Sequence, residues 1–564
     1  MTKYSNRPLF WLKIAKPPLS SGSVGSMNDE RDPIAFPRLT DEQIEIFRQV
    51  ATETNLSNGE ALWKPGDTEF CFFVVLEGEV EIRDGNPDSQ SVAIHGAGGF
   101  TGDVDVLSGR PAPVGGYAKG SARLLQVSAE ALREIVRVEQ DLGGIVLLAF
   151  IRRRELLLNM TGRGLLLVGS AMDPETMRIR QFLGRNRVLH RWEQPEESGT
   201  ARLLEGFGLG VADTPMVFLA NQRLSKPTLE DLGERLGIRL HVDARQYDLV
   251  IIGAGPAGLA AAVYGASEGL HTLLLDRTAP GGQASWSSRI ENYMGFPEGL
   301  TGSDLAARGL VQAQKFGTDI SIPGEVANIE CGPVGHRIHL RTGETIDARA
   351  IIVATGATYQ KLPIPGFERF ETSGIYYAAT KLEMGSCEGA EVVVVGAGNS
   401  AGQAAVYLSA HCAKVRLVVR GDRLNKSMSD YLSYRVERIP NIEVFLNAEV
   451  SALEGDDHLT TACLTGPATV PEKVPCTGLF VFIGAEPNTD FLKDTVARDR
   501  NGFILTGDAA KEFWPENRTP YYLETSCSGI FAAGDCRVGS VKRVASSVGE
   551  GSMAVTFVHR VLAL

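Results

Sequence analysis

The thirty residues Tyr247–Asp276, YDLVIIGAGPAGLAAAVYGASEGLHTLLLD, constrain this chain more than any other stretch. The short apolar run Tyr247–Ile252 suits a strand buried on both faces. It leads into Gly253, Gly255 and Gly258, which divide three tasks. The first glycine turns the chain, the second lets backbone approach a pyrophosphate, and the third lets a helix pack close on the strand. Pro256 and Ala257 open that helix, and its N-terminal N–H groups and dipole face the anion. Asp276 ends the second strand, 23 residues after Gly253. A carboxylate there can accept hydrogen bonds from both ribose hydroxyls. Strand, turn, small-residue helix and acid, all at the expected distances, imply a dinucleotide site.

A second strand–turn–helix–strand unit occupies Ala390–Arg420, AEVVVVGAGNSAGQAAVYLSAHCAKVRLVVR. Gly396 and Gly398 repeat the turn, Asn399 and Ser400 begin the helix, and Ala401 takes the packing position. Here the second strand ends in Arg420 instead of an acid. A carboxylate repels a 2′-phosphate, whereas a guanidinium can hold it bidentately. The first site is therefore expected to take FAD and the second NADPH.

Four further stretches accompany these units: Gly281–Pro297 (GGQASWSSRIENYMGFP), Val353–Thr358 (VATGAT), Gly478–Thr489 (GLFVFIGAEPNT) and Thr525–Gly551 (TSCSGIFAAGDCRVGSVKRVASSVGEG). With these motifs in order, residues 245–564 resemble the low-molecular-weight thioredoxin reductase family of pyridine nucleotide-disulfide oxidoreductases. The resemblance implies an α/β fold with two Rossmann-like domains, FAD over 245–365 and 486–564 and NAD(P)H over 366–485. Hinges are expected near Pro363–Gly366 and Gly484–Pro487. It further implies that Gln283 and Asn292 approach the flavin, that Val326 backs the adenine, and that Asp535 holds a ribityl hydroxyl. Gly282, Ala354, Thr355, Gly356 and Gly534 complete the cofactor-binding set. Arg543, Val544 and Ala545 would bring backbone N–H groups at a helix start to the pyrimidine edge, where reduced flavin is negative. Relatives often carry further arginines at the places of Gly421 and Asn425, with only Lys426 nearby here, so NADH stays an alternative to NADPH. The family also implies a homodimer.

One departure matters for mechanism. Where the family keeps Cys-Ala-Thr-Cys, this chain reads Ala378-Ala379-Thr380-Lys381. Without two thiols there is no internal dithiol relay. Cys387, Cys527 and Cys536 read as buried packing residues more readily than as nucleophiles. Arg289, Lys542 and Arg543 form either a basic rim for an acidic partner or a solvated face. Hydride transfer needs stacking and orientation but no protein acid or base, so no catalytic side chain is assigned.

The N-terminal half reads differently. Residues 1–30 are rich in Ser, Gly, Pro and Asn and suggest a flexible leader without a signal-peptide pattern. Over 31–160, a helical period at Asp41–Thr52 precedes short strands at Glu60–Trp63, Cys71–Leu76, Glu79–Arg83, Val92–Ile94 and Leu124–Val127. Turns at Glu77-Gly78-Glu79 and Asp84-Gly85-Asn86 separate them, and helices follow over Glu130–Val138 and Leu142–Leu158. The phrases LWKPGD, FFVVLEGEVEI and GGFTGDVDVLSGRPAPVG resemble the β-roll of the cyclic-nucleotide-binding domain. That family holds ribose with a Gly-Glu pair and the cyclic phosphate with an Arg. Here Gly102 and Asp103 take the pair, Arg110 is the nearest arginine, and Pro111 stands at the aligned position. Proline offers neither charge nor N–H, so a roll that docks protein weighs slightly more than a cyclic nucleotide cassette. Residues 164–242 resemble a small thioredoxin-like domain, with Thr214-Pro215 at its cis-proline position. GSAMDPE at Gly169–Glu175 replaces the redox pair, and no cysteine occurs in this unit, which leaves binding or spacing.

A net charge of −12 argues against a nucleic-acid partner. No apolar run is long enough to span a bilayer. Eight cysteines at irregular spacings, with no CxxC and no zinc-type pattern, suggest a reducing cytoplasm, no disulfide framework and no metal. The expectation is an FAD-dependent NAD(P)H oxidoreductase with a regulatory N-terminal roll. Its acceptor would be an external thioredoxin- or ferredoxin-like protein, a quinone or dioxygen. The alternative is a redox or ligand sensor whose flavin module reports its state without multiple turnover.

Overall fold

The computed structural model describes residues 32–563, except 84–90, 159–163, 172, 220–221, 288–289, 291, 333–334, 371–373, 378, 380–386 and 457. The expected leader, the Asp84-Gly85-Asn86 turn, Arg289 and three of the four residues 378–381 lie outside the described residues.

Strand Arg245–Ile252, which leads into the glycine turn, is the centre of a seven-stranded sheet. It runs parallel to Thr272–Leu275 on one side and to Thr345–Val353 on the other, with Ile252 opposite both Leu275 and Val353. Helices cover one face of these strands, and Val326, Ile329, Ile338, Leu340, Leu492 and Ile504 pack against the other, which explains why their sequences are continuous apolar runs without alternation. Thr345–Val353 changes partner along its length on its other edge. Residues 345–348 pair antiparallel with 336–339, and residues 351–353 pair parallel with Ile530–Ala532. The last strand is thus brought to the sheet from nearly 180 residues downstream of its neighbour. Helix Pro256–Ser267 packs on this sheet together with Gly302–Lys315 and the C-terminal helix Val544–Leu562.

A second sheet, all parallel, orders Ile375–Tyr376, Gly478–Val481, Glu391–Val395, Lys414–Val419 and Ile442–Leu446. Chain passes between the two sheets at one antiparallel pair, Ala357–Tyr359 with Ala485–Pro487. The first crossing therefore precedes the hinge expected at residues 363–366. Pro365 already accepts a hydrogen bond from Leu453 N–H at 3.0 Å, which ties that stretch to the second sheet's side.

The N-terminal roll is a five-stranded antiparallel sheet. Its first helix, Asp41–Arg48, stops short of the expected end, because Thr52–Leu56 leaves to pair with residues 122–126. Alternating β-branched threonines favour that extended choice. The two strands expected on either side of Gly78 are one, Phe72–Arg83. Gly78 sits at φ +81°, where a Cβ would stand 2.3 Å from the Ser121 carbonyl, so it makes a bulge and not a turn. Phe47, Phe72, Phe100 and Phe150 fill the roll.

Between roll and first cradle lies a four-stranded sheet ordered His190–Glu193, Leu165–Val168, Met216–Leu219, Gln222–Ser225, with the Thr214–Pro215 bond cis. Its apolar side chains Leu167, Ile179, Phe182 and Leu232 join Leu249 and Ile251 in one continuous core. Among the described residues no helix is long and apolar enough to cross a membrane.

The C-terminal helix lies flush on helix Pro256–Ser267, since a Cβ on Gly551 would fall 2.0 Å from the Ala257 carbonyl. Gly551→Ala should cost about 1–3 kcal/mol by overpacking. Gly549→Ala, whose Cβ meets open space, should be neutral or slightly stabilising. Denaturant unfolding of the two variants side by side checks this, and equal midpoints would contradict the packing described.

Candidate functional site

Gly253 adopts φ +108°, and a Cβ there would come within 2.3 Å of the Ala354 carbonyl. Only glycine lets the turn pass this close to the neighbouring strand. Gly255 caps helix Pro256–Ser267 without any side-chain bond to its first N–H groups. A Cβ on Gly255 would meet nothing nearer than the Gly282 Cα, at 4.0 Å. A Cβ on Gly282 would in turn stand 3.1 Å from the Gly255 Cα, so the rim of this turn is backbone against backbone. At its edge, Asp276 Oδ2 accepts the Ala254 N–H at 2.9 Å. Its Oδ1 accepts those of Thr278 and Ala279 at 2.8 and 3.0 Å. A carboxylate has about four lone-pair sites, so one, on Oδ2, stays available to a ribose hydroxyl.

The opposite wall comes from the C-terminal segment. Gly534 N–H donates to Glu550 Oε2 at 2.7 Å, and Arg537 clamps the same carboxylate at 2.8 and 2.6 Å. This bracket presents Asp535, whose Oδ1 is buried without a hydrogen-bond partner among the described residues. Burial raises its pKa, opposed by the Lys542 charge. Arg543 is the N-cap of helix Val544–Leu562 and gives it no side-chain cap bond, so Val544 and Ala545 lie in an uncapped first turn. Gln283 donates to the Ala357 carbonyl, and Asn488 bridges to the carbonyls of Thr355 and Gly356 at 3.0 Å each. Ala354 and Val326 are buried, whereas Asn292 is exposed. An orphaned buried carboxylate oxygen, a crevice with no side chains and an uncapped helix start together fit an anionic dinucleotide rich in hydroxyls.

The second cradle repeats the first with different chemistry. Gly398 caps helix Asn399–Ser409, again without a side-chain bond, and a Cβ on it would meet open space. A Cβ on Gly396 would strike the Phe482 carbonyl at 2.3 Å. Ala401 is fully buried against the strand, Ser400 is exposed, and Asn399 Oδ1 accepts Ser429 N–H at 2.7 Å. Arg420 is exposed at the end of its strand. Lys426 is paired with Asp422 at 2.7 Å, which neutralises the extra cation noted in the sequence.

The roll's three candidate residues do not converge on an open pocket. Asp103 caps the short helix Val104–Ser108 and accepts Arg154 at 2.6 Å, with Asp105 on the same guanidinium. Burial pushes the Asp103 pKa up, and Arg154 pulls against it. Arg153 donates to the carbonyls of Ala35 and Gly102 at 2.7 and 2.8 Å and lies 4.6 Å from the centre of the Phe100 ring. The cavity left beside it, lined by Phe36, Trp63 and His95 among others, measures about 50 Å³. That is room for a few waters. Arg110 lies within electrostatic reach of Asp103 and Asp105, and its guanidinium donates to the Asn186 carbonyl at 3.1 Å. Asn186 Nδ2 in turn donates to the Thr278 carbonyl at 2.9 Å, two residues from Asp276. Sequence reading missed Arg153, Arg154 and Asn186. The first two were detectable as consecutive charges in a helix whose neighbours are apolar.

Cys387 and Cys536 are fully buried, and burial pushes the Cys536 thiol up to about 12. Neither is a nucleophile in this setting. Cys527 overturns the expectation of a chain without disulfides, being bonded to Cys331 across 196 residues. That separation leaves no spacing signal in the sequence.

Residues 247–551 match the family model of the pyridine nucleotide-disulphide oxidoreductases, and residues 53–139 match that of the cyclic nucleotide-binding domain. The chain belongs to the pyridine nucleotide-disulphide oxidoreductase family, whose thioredoxin reductase-like members use FAD and NADPH. It is 33% identical over 315 residues to thioredoxin reductase of Listeria monocytogenes, covering 55% of this chain and 91% of that protein. It is 32% identical to thioredoxin reductase of Bacillus subtilis, covering 56% and 94%. The structure of Lactococcus lactis thioredoxin reductase aligns with a TM-score of 0.51 at 30% identity, over 56% of this chain and all (100%) of that one.

Removing Arg154 should leave Asp103 and Asp105 buried without a counter-charge. Arg154→Met is expected to destabilise the roll by about 3–5 kcal/mol at neutral pH. The loss should shrink on acidification, because protonating the carboxyls removes the unpaired charge. Unfolding curves at two pH values check both parts.

Proposed function

We propose that this chain is an FAD-dependent NAD(P)H oxidoreductase that delivers electrons from NADPH to an acceptor outside the chain. The observation that carries this reading is the pairing of two backbone crevices on two separate sheets, one edged by Asp276 and the other by Arg420, joined at a two-stranded crossing. In the first, Gly253, Gly255, Gly258 and Gly282 would admit the pyrophosphate, with Pro256 and Ala257 setting the helix start. Asp276 would take the adenosine ribose, Val326 the adenine, and Ala354, Thr355 and Gly356 the adjoining wall. Gly534 and Asp535 would take the ribityl chain, Arg543, Val544 and Ala545 the pyrimidine edge, and Gln283 and Asn292 the flavin's open side. In the second, Gly396, Gly398, Asn399, Ser400 and Ala401 would seat the NADPH pyrophosphate, and Arg420 its 2′-phosphate. The bound flavin supplies a two-electron acceptor for the nicotinamide hydride. The protein's contribution is alignment and exclusion of water, and the short crossing would let one unit rotate on the other between steps.

An external acceptor follows from the sequence at 378–381, which has no thiol, and from the burial of Cys536. A thioredoxin- or ferredoxin-like protein, a quinone and dioxygen are the candidates, and a homodimer is the proposed assembly. A second reading, a sensor, is favoured by the contacts that run from Arg110 through Asn186 to Thr278 beside Asp276. A partner protein on the roll would act on the flavin site through them.

Anaerobic NADPH should bleach the yellow protein, and a productive acceptor should restore the colour within seconds. Bleaching without turnover over an acceptor panel would favour the sensor, and a colourless protein that takes up no FAD would end both readings. Arg420→Ala should raise the KM for NADPH about tenfold to a hundredfold while leaving that for NADH unchanged, the size expected for a charged hydrogen-bond pair. Steady-state kinetics with both nucleotides measures it.

A further inference from the structure

The chain carries a sulfur centre remote from both cradles. Cys331 ends strand Val326–Cys331, and Cys527 lies in the turn that precedes strand Ile530–Ala532. They meet where Thr345–Val353 exchanges one neighbouring strand for the other. The bond joins residues 196 apart in sequence and closes a covalent ring that contains the whole second cradle. Cys331 is exposed, on a cleft of about 340 Å³ that also presents Glu330, Arg337, Asp347 and Arg349. His336, opposite Cys331 in its hairpin, is buried, and all three side chains lie within 4.8 Å of one another. Burial pushes the His336 pKa down to about 4, so its imidazole is neutral at neutral pH and lends no positive charge to a neighbouring thiolate.

We propose that Cys331 and Cys527 form a reversible thiol–disulfide centre that exchanges with small peptide thiols and controls how firmly the C-terminal segment is held to the first sheet. A structural bond would be expected under cover. This one involves an exposed cysteine, beside a cleft of about 340 Å³ lined with both signs of charge. In exchange, an external thiolate attacks Cys331 Sγ and the Cys331–Cys527 bond breaks. Cys527 leaves as a thiolate and takes a proton from water. A second thiolate then attacks the mixed disulfide, releasing the oxidised small thiol and the Cys331 thiolate. The two electrons gained by the pair come from two external thiols, and an oxidised peptide disulfide reverses the process. The pair stands at the far end of the strand from Gly534 and Asp535, so its electrons do not pass through the cofactor site.

The full-length protein, equilibrated in glutathione buffers from fully reduced to fully oxidised, should be alkylated and mapped by peptide mass. Cys331 and Cys527 should convert together, free in reduced glutathione and linked in oxidised glutathione, while Cys536 stays protected in both. The unfolding midpoint should fall by about 5 °C on reduction. Cys331→Ser should show the lower midpoint in every buffer. Three results would overturn the proposal: both cysteines free in excess oxidised glutathione, the bond intact in the folded protein under excess dithiothreitol, or one equivalent of zinc bound and lost in Cys331→Ser. The last would make Cys331, His336 and Cys527 a metal site.

Discussion

Three backbones touching at one helix hold the rest of this structure in place. On helix Pro256–Ser267, a Cβ on Gly258 would fall 1.7 Å from the Gly253 carbonyl. The Gly551 position of the C-terminal helix presses against the Ala257 carbonyl of the same turn. Because nothing separates these surfaces, the glycine turn, the Asp276 carboxylate and the uncapped start of helix Val544–Leu562 all converge on one crevice. Its width is set by backbone contact, which cannot adjust by changing rotamer as a side-chain contact can.

Buried charge is used for position instead of for net stability. Glu550 holds Gly534 N–H and Arg537 together, and Arg154 gathers Asp103 and Asp105. Arg239 joins Glu344, tying the end of the small unit to the first sheet. Such pairs cost desolvation that their attraction offsets only with good geometry. Each fixes the end of an element at a junction. Asp276 follows the same principle, since three backbone donors fix its orientation.

The roll illustrates how a fold can keep its shape while its pocket closes. Residues 53–139 match the cyclic nucleotide-binding domain. Yet Arg153 fills the interior by stacking on Phe100, and Arg110 donates to Asn186. A cation inside an aromatic box is stabilised by the ring faces and two carbonyls. Arg110 turns the cassette's rim into a contact with the small unit, and through Thr278 with the edge of the first cradle.

The sequence by itself determined the two cradles, because glycines and terminal charges act within one strand–turn–helix unit and their spacing is the geometry. The strand–turn–helix units around Gly253, Gly255, Gly258 and Asp276, then Gly396, Gly398 and Arg420, were legible for that reason. Strand ends were less legible: Gly78 reads as a turn locally, and only the approach of Ser121 makes it a bulge. The closing of the roll around Arg153, the line from Arg110 to Asp276 and the bond between Cys331 and Cys527 were decided by tertiary structure alone. Each depends on groups dozens to hundreds of residues apart, and no local period or spacing records which distant backbone will lie alongside.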